Sequence, residues 1–167
     1  MEREPYVEFT PEMEKLDHLI KGIPVAMMTT ITTDGKLQSF PLLNQDIEFD
    51  GSLWFLISKN SPFLQEMQKN TDINLSYSGN GKYISITGTV EFIKNRDMVR
   101  EIWLKPHETW FPEGPSDPNI QLLKVNVRSA EYWEEHTSPV YKIIDFVRTA
   151  TGKPAQKENH GSLDLKH

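Results

Sequence analysis

The chain contains no cysteine. Disulfides, thiol nucleophiles, iron–sulfur clusters and cysteine-held zinc are therefore excluded. A surplus of positive charge is missing too. There are 24 acidic against 18 basic residues, which gives a formal net charge of −6 and a pI of about 5.4. Phosphate backbones and anionic lipids recruit cationic surfaces, so neither nucleic acid nor membrane is an expected partner. No run reaches the ~18 apolar residues of a spanning helix. The acidic start, Met1 to Glu12, has no apolar stretch of the kind a signal peptide needs. Together these absences set a cytoplasmic location as the expectation.

What is present is ordinary globular material. The 167 residues are 37% hydrophobic and 10% aromatic. That suits one domain around one core. The reading divides the chain into a polar arm at 1–10, a domain at 11–152 and a polar, loose tail at 153–167. No internal repeat interrupts it.

The pattern along the domain is mostly that of strands. Thr10-Pro11-Glu12 supplies an N-cap hydroxyl, a first-turn proline and an acid, and Met13, Leu16, Leu19 and Ile20 follow at helical spacing; this predicts a helix over 11–21. Val25 to Thr33 reads as a strand, Thr33-Asp34-Gly35-Lys36 as a hairpin turn, and Leu37 to Ile47 as the returning strand. A second Asp-Gly turn at Asp50-Gly51 leads into Leu53 to Ser58, so the first three strands are expected to form a meander. Ser61-Pro62 opens a short helix to about residue 69. Strands follow at Ile73 to Ser78 and Tyr83 to Phe92, joined by Gly79-Asn80-Gly81-Lys82. A helix is expected over Asn95 to Leu104, a rigid proline-braced loop at Trp110 to Pro115, a strand over Leu122 to Trp133, and a terminal helix over Pro139 to Thr149. Six strands with short turns point to a mainly β architecture, a closed antiparallel barrel with peripheral helices.

The motifs of several chemistries do not occur. No phosphate-binding loop of the GxxxxGK type exists, and Gly79 and Gly81 belong to a hairpin rather than to a strand–helix dinucleotide fingerprint. The five histidines are scattered, so no metal site is expected. No residue is marked by its neighbours as a catalytic acid or base.

Several segments, taken in order, do point somewhere. They are the Thr29-Thr30 strand, Ser39-Phe40-Pro41, Asp50-Gly51-Ser52-Leu53-Trp54-Phe55, Ser58-Lys59-Asn60-Ser61-Pro62, Ile86-Thr87-Gly88-Thr89-Val90-Glu91, Trp110-Phe111-Pro112-Glu113-Gly114-Pro115-Ser116-Asp117-Pro118, and Ala130-Glu131-Tyr132-Trp133. Over residues 10–152 this series resembles the general stress protein branch of the pyridoxamine-phosphate-oxidase-like, flavin-binding split barrels. The resemblance implies a six-stranded antiparallel split barrel that forms a homodimer, with FMN (or FAD or another flavin) at the subunit interface and with oxidoreductase chemistry. It implies that Ser39, Ser58, Lys59 and Ser61 surround the phosphate. Thr29, Thr30, Asn44 and Gln45 would meet the polar edge of the ring, and Trp110 and Phe111 would wall it. The residues themselves leave plainer roles open: β-propensity for the threonines, a helix cap for Ser61, a solvent-facing strand end for Asn44 and Gln45, and packing for Trp110 and Phe111. A flavin-free interaction protein, or the same scaffold holding a deazaflavin or haem, are the alternatives; haem would call on His107 or His136.

Two positions depart from the branch. Where it commonly has Ser-Arg-Pro, this chain has Ser39-Phe40-Pro41, and where a lysine commonly follows Ser-Pro, this chain has Phe63. Phenylalanine offers nothing to a phosphate. The C-terminal segment also lacks the arginine-rich signature of the true pyridoxamine-phosphate oxidases, which argues against that activity.

Overall fold

The computed structural model describes residues 9–135 and 160–165. The first helix, α1 (Pro11–Ile20), starts where its signals lie. Thr10 Oγ1 accepts the Met13 N–H at 3.2 Å, a cap that contributes about 1 kcal/mol. Its apolar stripe of Met13, Leu16, Leu19 and Ile20 is buried.

Strands β1 (Val25–Ile31) and β2 (Leu37–Leu43) form the expected hairpin. Gly35 takes φ +82° in the turn, a conformation that side chains resist. The next elements are β3 (Ser52–Ser58), α2 (Pro62–Lys69), β4 (Asp72–Gly79), β5 (Lys82–Ile93) and α3 (Arg96–Ile102). Two short 3₁₀ turns, Lys105–Thr109 and Gly114–Ser116, then lead into the long β6 (Ile120–Glu134), and β7 is His160–Asp164. The sheet runs β2-β1-β4-β5-β6-β3, with β7 added on β6, and every pairing is antiparallel.

Three expectations are corrected. The first three strands are not a meander: β3 pairs with β6, from Ser52↔Asn126 to Ser58↔Ile120. The cause lies in residues 44–51, which pack on α1 instead of turning tightly. Asn44 Nδ2 donates to the carbonyls of Ile20 and Ile23 (3.0 and 2.8 Å), and the Phe49 N–H reaches Asp17 Oδ1 at 2.9 Å. Asn44 thus ends β2 at Leu43, four residues before the expected Ile47. Second, no ladder joins β2 to β3 among the described residues, so the sheet is split there and does not close. Third, the tail is not wholly loose. His160–Asp164 lies against β6, and Leu165 is buried in the main core. The expected helix over 139–149 falls outside the described residues.

Two hydrophobic clusters result. The larger fills the barrel with the inward residues of the strands, among them Met28, Phe55, Leu75, Ile86 and Val125, and α1 and α2 cover it. The smaller gathers Leu56, Val99, Ile102, Phe111, Ile120 and Leu122 where α3 and the 3₁₀ loop lie against β3 and β6. The glycine of Ile86-Thr87-Gly88 lies opposite a bulge in β6, where Arg128 is the extra residue between the partners of Thr87 and Gly88. A Cβ at Gly88 would overlap the Asn126 carbonyl, so the close approach of the strands requires glycine.

Candidate functional site

A cavity of about 330 Å³ opens where β2 and β3 fail to pair, a volume within the range of small-molecule sites. Phe40, Pro41, Leu42 and Leu43 form one side and Leu56, Ile57 and Ser58 the other. Ser61 and Phe63 come from the start of α2, and His107, Trp110 and Phe111 from the 3₁₀ loop. The cavity is therefore a seam: Phe40, Leu42 and Ile57 belong to the barrel core, while Leu56 and Phe111 belong to the smaller cluster.

Its aromatic wall is double. The rings of Phe40 and Phe63 stack at 4.1 Å between centroids, 13° from parallel. Of the two aromatics that the 3₁₀ loop adds, Phe111 is buried, whereas Trp110 is 59% exposed. The loop that carries them is braced by Asp117. Its carboxylate accepts the N–H groups of Glu113 and Asn119 (3.3 and 2.9 Å), and Arg96 Nη1 donates to its carbonyl at 3.1 Å. The Trp-Phe-Pro…Asp-Pro motif is thus a loop-setting device, with Asp117 as its clamp.

The polar groups of the cavity are few. Ser58 Oγ accepts from Asn119 Nδ2 (2.8 Å) and from the Asn60 N–H (3.2 Å). Ser61 caps α2, its Oγ accepting the Phe63 N–H at 3.3 Å. Both hydroxyls retain a proton to donate. His107, which the sequence offers only as a ligand for the haem alternative, lines the cavity. It is 4% exposed, and its Nδ1 accepts the Leu104 N–H at 2.9 Å. An accepting Nδ1 places the ring proton on Nε2. Burial holds its pKa below the ordinary 6.5, partly offset by that backbone bond, so the ring is neutral. Its neighbourhood was visible only as two aromatics three and four residues further on.

The other anticipated site residues fall elsewhere. Thr29 and Thr30 face opposite sides of the sheet, as adjacent strand residues must. Thr29 Oγ1 meets Ser39 Oγ at 2.7 Å on the outer face, while Thr30 is fully buried with its hydroxyl unpartnered. Asn44 and Gln45 are buried, not solvent-facing, and line a different groove beside α1. Gln45 Oε1 accepts the Trp54 N–H at 2.8 Å. Lys59 lines a separate groove with Lys94 and Arg96. The structure thus brings together Ser58, Ser61, Trp110 and Phe111 of the ten. Among the described residues, no group of three or more His, Asp or Glu gathers to hold a metal.

A split antiparallel barrel with an aromatic cavity at the split defines a class of small-ligand-binding barrels. Within it, the model for pyridoxamine 5'-phosphate oxidase-like proteins matches residues 11–157, and the chain belongs to that family. A curated relative, protein bli-3 of Neurospora crassa, is 30% identical over 115 residues. That match covers 62% of this chain and 54% of the relative, so the chain spans about half of that protein's length. General stress protein 26 of Bacillus anthracis superposes with a TM-score of 0.65 at 20% identity, covering 72% of this chain and 92% of that one. The general stress FMN/FAD binding protein of Xanthomonas citri gives 0.62 at 22% identity, covering 75% and 90%. No helix among the described residues is long and apolar enough to cross a membrane.

Proposed function

We propose that the protein binds a flavin, with the isoalloxazine ring in the cavity between β2 and β3. The observation that carries this reading is the slot between β2 and β3, a mostly apolar cavity lined by the stacked rings of Phe40 and Phe63 and by Phe111. Flat aromatic ligands gain both burial and ring–ring contact in such a slot. The family membership and the flavin-binding relative support it. The ring's carbonyl and ring-nitrogen acceptors would meet the hydroxyls of Ser58 and Ser61 and the Nε2–H of His107. FMN is the flavin that the family resemblance implies.

A bound flavin supplies its own hydride chemistry, which makes an oxidoreductase the reaction class. This chain's residues orient the ring, exclude water from its buried face and present neutral donors. A cytoplasmic homodimer completes the proposal. Its support is the outer face of β1 and β2, where Val25, Met27 and Leu37 are 40%, 40% and 75% exposed beside the Thr29–Ser39 pair. A second subunit there would cover that apolar surface and bring Thr29 and Ser39 near its own contacts.

The test is the visible absorption of the purified protein after saturation with FMN or with riboflavin and removal of the free ligand. A retained flavin band near one per chain with either compound is the expected result. No retained band with both would contradict the reading.

A further inference from the structure

Among the described residues, the cavity's lining carries no formal charge. Of its described lining residues, only Ser58, Ser61 and His107 are polar, and His107 is buried with Nδ1 already accepting a backbone bond. Phosphate needs cations or free N–H groups, because a buried dianion without them is strongly disfavoured. The start of α2 has few donors to give. Pro62 lacks an N–H, the Phe63 N–H goes to Ser61 Oγ, and the Leu64 N–H goes to the Ser61 carbonyl at 3.2 Å. Lys59 lines another groove, and Lys69 sits in the last turn of α2, away from the Ser61 end.

Phe40 and Phe63 deserve to be read as one feature. They come from different elements, yet their rings stack face to face at 4.1 Å. Together they turn the end of the cavity nearest α2 into an apolar plate. That plate matches an uncharged, planar portion of a ligand and desolvates any phosphate brought to it.

We propose that this site selects flavin without its phosphate: riboflavin, or the uncharged tricyclic ring itself, in preference to FMN. The inference rests on the flavin reading above and assigns the form of the ligand. Neutral donors from Ser58, Ser61 and His107 answer the ring's acceptors, and the Phe40–Phe63 plate takes the place of a phosphate cradle.

The experiment is a pair of titrations of the full-length protein, one with riboflavin and one with FMN, followed by quenching of flavin fluorescence and by calorimetry. Riboflavin binding about tenfold or more tighter than FMN is expected, a difference of about 1.4 kcal/mol. FMN binding as tightly as riboflavin, or more tightly, would overturn the inference and leave the flavin reading standing. Failure of both to bind would overturn the flavin reading, and this inference with it. Phe63→Lys provides the converse at a half-buried position. It should strengthen FMN relative to riboflavin by about tenfold, since it restores one cation next to the Ser61 hydroxyl. An unchanged ratio in a folded variant would show that the plate does not govern phosphate discrimination.

Discussion

The two hydrophobic clusters differ in how they are built. The barrel core is made by strands whose alternate residues point inward, held by six antiparallel ladders. The smaller cluster is made by a short helix and a 3₁₀ loop lying on β3 and β6, and its geometry depends on a few side-chain clamps such as Asp117. The cavity sits between them. Two of its sides are therefore strands, β2 and β3, at the two ends of the sheet, and another is a loop. This division places a rigid floor under the ligand and leaves the adjustable wall to the aromatics at 107–111. Elements with few backbone ladders open at lower free-energy cost than core strands, which suits them to ligand entry.

Five changes sharpen that contrast. The largest effect belongs to the barrel. Phe55 is fully buried there, and Phe55→Ala should destabilise the fold by about 4 kcal/mol, measured by denaturant unfolding. Phe111→Ala removes an equally large ring from the other cluster, yet its loop can collapse. It should cost about 2 to 3 kcal/mol and weaken riboflavin binding more than Phe55→Ala does in the folded fraction. Equal ligand effects from the two would break the comparison.

Next is the clamp on the connection between β2 and β3. Asn44→Ala removes two buried bonds, to the carbonyls of Ile20 and Ile23, and should cost about 2 kcal/mol. Its effect on riboflavin affinity should be smaller than that of Phe111→Ala, because Asn44 lies outside the cavity.

A smaller effect, of the opposite sign, is expected inside the barrel. Tyr77 is 1% exposed, its hydroxyl has no partner among the described residues, and burial pushes its pKa well above the ordinary value. Tyr77→Phe discards a buried, unsatisfied polar atom, so stability should stay level or rise by about 1 kcal/mol. A loss of stability would reveal a partner for that hydroxyl.

The smallest effect is one of pH. Burial depresses the pKa of His107, so the unfolded chain takes up a proton that the folded chain resists. The stabilisation is complete above the ordinary histidine value of 6.5 and is lost as pH falls below it toward the depressed folded value. His107→Gln should flatten this acid limb in melts taken from neutral pH to about 5. A parallel curve would place the titration on another group.

Much of the fold could be read from the sequence because it is local. The Thr10 and Ser61 caps, the Asp34-Gly35 and Asn80-Gly81 turns and the two-residue alternation are each decided within a few residues. Which strands pair is not decided locally. Asp50-Gly51 reads as a hairpin turn, yet β3 crosses to β6, because Asn44 and Asp17 draw the connection onto α1. The tail shows the same limit: 160–165 reads as polar, but its partner strand lies some thirty residues back.

The site was half readable for a related reason. Ser58, Ser61, Trp110 and Phe111 were found through the family resemblance, and they do converge. Thr30, Asn44 and Gln45 have the right chemistry for a ligand edge but spend it inside the protein, or face the core. The stack of Phe40 on Phe63, which reshapes the cavity most, shows in sequence only as two missing cations. His107 carried no motif at all.

The central claim is that a flavin ring occupies the seam between the clusters. The most direct measurement is amide hydrogen exchange with and without saturating riboflavin. Slower exchange at 104–117, at 39–43 and at 56–63, with β4 and β5 unchanged, is the predicted result. Protection centred on the groove at 44–48, or none anywhere, would contradict it.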